Sequence, residues 1–301
     1  MRTKSIFVPD HDSKYINVTV PQVDDLVSRF RGKTSQVDVM LSKNYISRMA
    51  LTTSRIPMAS NNNTCLVDIG GTIFWVPIYA ELLGYRQIIM VTRPGSSFAQ
   101  YFDMVKTSRD IDLQIVDSDA ELDRYPIGDR QVSCVLCFEL LEHFAGDPMH
   151  FVSECNRILR PGGTLYLTTP NVLYYHNVLT YMFGNHPFAW SVYTNNYADR
   201  HNREYTPLEV KWLLEAAGFD VQLLETVAYA NSIPVIRKFL GICLCLPAVL
   251  ARRVDLQMRE KLIIAHGKKI GPVRDRYPSF LYDLFGSDKV ECEIRVSGGS
   301  A

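Results

Sequence analysis

Glu139, Glu142 and His143 stand at positions i, i+3 and i+4 of the stretch FELLEHF. If the chain turns helical there, the three side chains share one face. Two carboxylates and an imidazole on one turn are costly unless they are solvated, paired or bound to a cation. A mixed carboxylate–imidazole set suits Mg²⁺, Mn²⁺ or Zn²⁺. Without a metal, His143 has the chemistry of a general base, because imidazole titrates near neutrality. Helix capping or pocket lining is the plainer alternative for the same residues.

The elements around the cluster decide where it sits. Val132–Phe138 is an apolar, strand-like run, so the cluster falls at the carboxyl end of a strand, where open α/β sheets bind ligands. Downstream, the residues predict a helix over Pro148–Leu159, a turn at Arg160-Pro161-Gly162-Gly163 and a strand over Thr164–Thr169. Upstream, Cys65–Ile69 reads as a strand, Gly70-Gly71-Thr72 as a turn and Val76–Leu83 as a helix. Gln87–Thr92 and Leu113–Val116 are strands, with a helix over Phe98–Val105 between them and the acidic loop Asp117–Asp123 after. Thr206 caps a helix that runs to Ala217, with Pro207 in its first turn and Gly218 at its end, and Val221–Val227 follows as a strand. Strands alternating with helices at this spacing imply a mostly parallel sheet covered on both faces. Val290–Val296 reads as a closing strand, and the amphipathic stretches Val23–Phe30 and Val37–Ala50 as short helices of an N-terminal cap.

The chain has 301 residues, 47% of them hydrophobic, enough for one large domain or two small ones. Thirty-two basic and thirty-two acidic residues give zero net charge. That balance argues against a broad basic surface for nucleic acid, so no nucleic-acid partner is expected. The seven cysteines have no framework spacing, and Cys134 and Cys137 point to opposite faces of a strand; they read as reduced core residues. The N-terminal residues lack an apolar signal region, which makes a reducing, cytoplasmic setting the expectation. Phe239–Leu250 is apolar but too short to span a bilayer and is interrupted by Pro247. It reads as a buried helical cap; the basic pairs flanking it would alternatively suit peripheral membrane contact through 237–253. The oligomeric state is not legible.

The wording FELLEH followed by LRPGGTLYLTTPN, preceded by the strand and turn CLVDIGGT, resembles the class I S-adenosylmethionine (SAM) methyltransferases of the type 11 and type 12-like groups. The resemblance covers roughly residues 61–230. It implies a Rossmann-like α/β fold: a seven-stranded, mostly parallel sheet with helices on both faces, its last strand antiparallel. Residues 1–60 would form a helical N-terminal cap. Residues 61–301 would form the methyltransferase-like domain, with an aromatic substrate lid at 171–205 and an apolar helical insertion at 232–289. Asp68, Gly70, Gly71 and Thr72 would wrap the amino-acid end of SAM. Asp119, with Ala120, would receive the adenine, and Phe138 would stand beside the cofactor. The family's glycine pattern is altered here: Gly71 and Thr72 replace the usual spacing, and position 74 is Phe. The second strand ends in Thr92 and Arg93 rather than in the carboxylate that holds the ribose, so Thr92 would offer one hydroxyl in its place.

A second resemblance concerns Arg200–Thr206 (RHNREYT), which is similar to the H-x-REYT segment of small-molecule and glycan-associated methyltransferases. The small-RNA 2′-O-methyltransferases use E-x-x-E-H and a distant histidine as a divalent-metal site. On that resemblance Glu139, Glu142, His143 and His201 would be metal ligands, with His143, His201 and Glu139 as the catalytic residues. The expected function is methyl transfer from SAM to a hydroxyl of a small molecule, sugar or lipid-linked glycan. The alternatives are a methyltransferase-like scaffold without catalysis and, less favoured, an RNA 2′-O-methyltransferase.

Overall fold

The computed structural model describes residues 15–93, 105, 111–187, 200–229 and 258–282. Its centre is a seven-stranded sheet in the order β3-β2-β1-β4-β5-β7-β6. The strands are β1 (Cys65–Ile69), β2 (Gln87–Thr92), β3 (Asp112–Asp117), β4 (Val132–Phe138), β5 (Leu159–Pro170), β6 (Phe219–Val227) and β7 (Leu262–Lys269). The first five run parallel, whereas β7 lies antiparallel between β5 and β6. This is the Rossmann-like architecture expected from the sequence.

Register explains the placement of the motifs. Asp68 of β1 aligns with Met90 of β2 and Leu136 of β4, and Phe138 of β4 aligns with Thr168 of β5. The turns after Ile69, Phe138 and Pro170 therefore leave one edge of the sheet. Helices cover both faces. On one side lie α1 (Val20–Ser28), α2 (Ser35–Met40) and α3 (Lys43–Thr53). Their Val23, Ile46 and Met49, with Phe30 from the turn after α1, share a single apolar cluster with Leu66, Phe74 and Tyr79, so these helices are packed into the sheet's own core. On the other side lie α4 (Pro148–Ile158) and α6 (Pro207–Ala216), burying Phe151, Val152, Val210 and Leu213. A further helix, α5 (Tyr175–Met182), follows β5.

Local chemistry fixes the helix ends. Asp147 accepts from the amides of Met149 and His150 ahead of Pro148. Thr206 and Glu209 form a reciprocal capping box at α6.

Three expectations are corrected. The helix expected over Val76–Leu83 is a 3₁₀ turn at Ile73–Trp75 followed by a π-helical turn at Ile78–Leu82. The stretch 232–289, expected as a helical insertion, contains β7, an inner strand of the sheet. Strand β7 also takes the closing antiparallel place assigned to Val290–Val296, which lies outside the described residues, as does the apolar run 237–253. Among the described residues no helix is long and apolar enough to cross a membrane.

Candidate active site

The first wall of the site is the turn after β1. Gly70 has φ +74°, a left-handed conformation that suits glycine, and its amide donates to the Val91 carbonyl at 2.9 Å. A Cβ on Gly71 would lie 1.9 Å from the Asp68 carboxylate, so only glycine fits above it. Asp68 is fully buried and its Oδ2 accepts from the Tyr79 hydroxyl at 2.7 Å. Burial pushes its carboxyl up to about 7, with the Tyr79 hydrogen bond acting in the opposite direction. Asp68 Oδ1 and Thr72 Oγ1 are both buried without a protein partner. Unsatisfied buried oxygens beside a glycine turn are the arrangement a polar ligand group would complete, so these residues fit the amino-acid end of SAM.

The neighbouring strand ends contribute differently. The Thr92 carbonyl accepts from the Ser118 amide at 2.9 Å. Arg93 stands 3.6 Å from Asp119, whose other oxygen accepts from the Glu121 amide. The Ala120 carbonyl takes the Tyr125 hydroxyl. None of Thr92, Asp119 and Ala120 lines the main cavity, which Gly70, Gly71, Thr72 and Phe138 do line.

The second wall begins at Glu139, whose φ of +52° is unusual for a residue with a side chain. Its amide donates to the Thr168 carbonyl and its Oε1 accepts from the Thr168 hydroxyl at 3.2 Å. Oε2 pairs with Arg48 of α3 at 2.7 Å. The chain then makes a 3₁₀ turn over Leu141–His143, not the helix that would set all three candidates on one face. Glu142 is fully buried and accepts from the Thr169 hydroxyl at 3.0 Å. Burial, reinforced by the Glu139 charge, holds its carboxyl well above the usual range.

Backbone bonds bring the distant histidine in. The amides of Asn202 and Arg203 donate to the Glu142 carbonyl, and the Asn202 side chain donates to the His143 carbonyl. His143 Nδ1 faces the Arg200 carbonyl at 3.0 Å, and His201 Nδ1 faces Glu204 Oε1 at 3.0 Å. Both partners are acceptors, so a ring that is neutral donates from Nδ1 and carries its lone pair on Nε2. The rings meet edge to face, centroids 4.9 Å apart. Ligand atoms of Glu142, His143 and His201 all lie within 4.8 Å of one another, a donor set that fits a divalent cation. Glu139, expected as a fourth ligand, is instead engaged by Arg48.

Both walls bound one cavity of about 690 Å³. Several of its residues escaped the sequence reading. Tyr45 and Arg48 come from α3, Arg48 lying 4.7 Å above the Tyr45 ring. Lys261 arrives just ahead of β7, placed by the Asn171 amide bonded to its carbonyl, and stands 4.8 Å from the Tyr229 ring centre. A signal for Arg48 existed: it stands three residues after Tyr45 and four before the buried Thr52, on one face of α3. Of the expected aromatic lid, Tyr174 lines the cavity and Tyr175 is buried, while 188–199 lies outside the described residues.

Comparison with known proteins bears on the family and the fold. A family model described as a methyltransferase domain matches residues 43–224. The chain belongs to the methyltransferase domain family. A protein of Mycolicibacterium smegmatis, named a probable S-adenosylmethionine-dependent methyltransferase, is 37% identical over 101 residues, 32% of each chain. The ubiquinone biosynthesis O-methyltransferase of Idiomarina loihiensis is 28% identical over 120 residues, 38% of this chain and 45% of that one. The matches thus span less than half the length of these curated relatives. Among solved structures, the Haemonchus contortus phosphoethanolamine N-methyltransferase 2 complex with SAM superposes with a TM-score of 0.53 at 14% identity, covering 83% of this chain and 60% of that one. At that identity the likeness is one of fold.

Proposed function

We propose that the chain is a SAM-dependent O-methyltransferase acting on a hydroxyl of a small molecule, sugar or lipid-linked glycan. The observation that carries this reading is the shared cavity, with a glycine turn holding unsatisfied polar atoms on one wall and two tautomer-fixed histidines on the other. Family membership supports methyl transfer, and the matched ubiquinone-pathway relative supports oxygen as the acceptor. Zero net charge favours a small acceptor over nucleic acid.

SAM, when bound, supplies an electrophilic methyl group. Asp68, Gly70, Gly71 and Thr72 hold its amino-acid end, and Trp75 and Phe138, with ring centres 5.1 Å apart, form the apolar wall beside it. The lone pair on Nε2 of His143 or His201 accepts the proton of the acceptor hydroxyl as the oxygen attacks. Their Nδ1 bonds to Arg200 and Glu204 keep both rings aimed, which contributes by alignment.

A second reading is favoured by the clustering of Glu142, His143 and His201. These three would hold a divalent cation, which would lower the pKa of the acceptor hydroxyl.

Calorimetric titration of the folded protein with SAM is the deciding experiment. Binding in the micromolar range is expected; no heat at millimolar SAM would remove the enzyme in favour of a binding scaffold. Titration with Mg²⁺, Mn²⁺ and Zn²⁺ separates the two readings of the histidines, because Glu142→Gln and His201→Ala weaken binding only if a metal site exists.

A further inference from the structure

A second cavity, of about 580 Å³, opens at the other end of the sheet. Thr64 stands just before β1, Cys134 lies near the start of β4, Arg160 and Thr164 near the start of β5, and Lys268 near the end of β7. Its walls are thus the strand ends opposite the glycine turn. Thr164 and Pro170, six positions apart on β5, are separated by about 20 Å along the strand, and Pro170 lines the active-site cavity. Strand register builds the floor. Cys134 aligns with Thr164 and Thr164 with Lys268, while Tyr166 aligns with His266 in the next row of the same face. The Tyr166 and His266 rings are buried and stacked, with centroids 4.3 Å apart and planes at 21°. Arg160 and Lys268 are exposed and mark the mouth. A Cβ on Gly162 would lie 3.9 Å from the Lys268 Cε, so the lysine stem lies over the turn that carries Arg160. Among the described residues neither cation has a hydrogen-bond or ion-pair partner, and no carboxylate lines this cavity. The β6–β7 register sets Asp220 opposite Lys268, outside the lining, where its Oδ2 accepts from the Gln222 side-chain amide. With Asp220 counted, two cations still face one carboxylate.

We propose that this second cavity binds a phosphomonoester, its phosphate held at the mouth by Arg160 and Lys268. The guanidinium offers parallel donors to two phosphate oxygens, and the ammonium is a compact charge on a flexible stem that closes on a third. Two full cations match the double negative charge that such an ester carries near neutrality, and Thr164 adds a hydroxyl donor between the strands. A single carboxylate would leave one of the two cations without a partner. The volume argues for an ester rather than bare phosphate: it lies in the range of small-molecule sites, and the organic part would rest over the aromatic floor of Tyr85, Tyr166 and His266. A molecule seated here is too far from His143 and His201 to be the methyl acceptor, so it is a second ligand. The inference is independent of the O-methyltransferase reading, because every residue it uses lies outside the active-site cavity.

The test is calorimetric titration of the full chain, without SAM, with glucose 6-phosphate, phenyl phosphate and AMP, each against its neutral counterpart glucose, phenol or adenosine. At least one ester is expected to bind one to one with a dissociation constant of about 1 mM or tighter, and about tenfold or more tightly than its counterpart. Arg160→Gln and Lys268→Met should each weaken that ester about tenfold, and Lys268→Arg should retain it. Lys261→Met, which removes the cation of the active-site cavity, should leave it unchanged. Circular dichroism of the variants checks that they are folded. Sedimentation with phosphatidate vesicles but not phosphatidylcholine vesicles, lost in Lys268→Met, would place the phosphate on a lipid; binding of soluble esters alone places it on a free metabolite. Weaker binding by all three esters with no vesicle capture overturns the proposal. So does ester affinity unchanged in folded Arg160→Gln or Lys268→Met, or affinity lost in Lys261→Met. SAM titration of the parent protein decides the enzyme reading separately.

Discussion

The two walls of the cavity are built on opposite terms. At the imidazole wall the protein supplies its own partners: Thr168 and Arg48 for Glu139, Thr169 for Glu142, Arg200 for His143 and Glu204 for His201, with Glu204 Oε2 the oxygen left over. At the glycine wall Asp68 Oδ1 and Thr72 Oγ1 are buried with nothing to bond, and Asp68 is held far from its ordinary ionisation. A satisfied network is rigid and aims its groups, whereas unsatisfied atoms store binding energy that a ligand recovers. The imidazole wall is thus finished by the chain, and the glycine wall is finished by what it binds.

The sharpest way to break that contrast is His143→Ala. If this wall does the chemistry, kcat falls about 10²–10⁴-fold while SAM affinity measured by calorimetry is unchanged. A parallel loss of SAM affinity would show that the walls are not separable. Next in size is Arg48→Met, which strands the Glu139 carboxylate. Urea denaturation should report a loss of about 3–5 kcal/mol, most of it recovered when Glu139→Leu is added.

Asp68→Asn tests the other wall and should move stability and binding in opposite directions. The folded carboxyl titrates at about 7, above its unfolded value. The native state therefore holds the proton more tightly, and stability falls as pH rises from about 4 to about 7, then levels off. Removing the group should stabilise the SAM-free protein by on the order of 2–4 kcal/mol at pH 8, flatten that pH dependence and weaken SAM binding. An unchanged pH profile of the melting temperature would contradict the buried ionisation. The smallest effect is expected from Thr92→Asp. It restores a carboxylate at the end of β2 and should tighten SAM binding by about 1 kcal/mol, read in the same calorimetric titration.

Local signals carried much of the architecture. β1, β2 and β4 run over the residues expected, because their apolar runs end at glycine, arginine or acidic residues that stop a buried strand. The capping box at Thr206 marked α6 for the same reason. What escaped depends on distant partners. Arg48 meets Glu139 across 91 positions, and Lys261 is placed by Asn171. The sequence VECEIRV alternates as an antiparallel strand should, yet LIIAHGKK fills that place, because its first residues are apolar enough to be buried on both faces. The positive φ of Glu139 left no sequence signal, so the reading of one helical face failed there.

Strand β7 carries a consequence for synthesis. Among the described strands β6 is bonded to β7 alone, and β5 has β7 on its outer side. As the chain leaves the ribosome, the first 261 residues can assemble five parallel strands but cannot join β6 to them. Until Leu262–Lys269 threads between, β5 presents an open edge and β6 has no sheet neighbour, the condition in which nascent chains pair with one another. A stop codon shortly before Leu262 would therefore yield aggregate rather than a smaller working protein. The final step of folding would wait on eight residues from the last sixth of the chain.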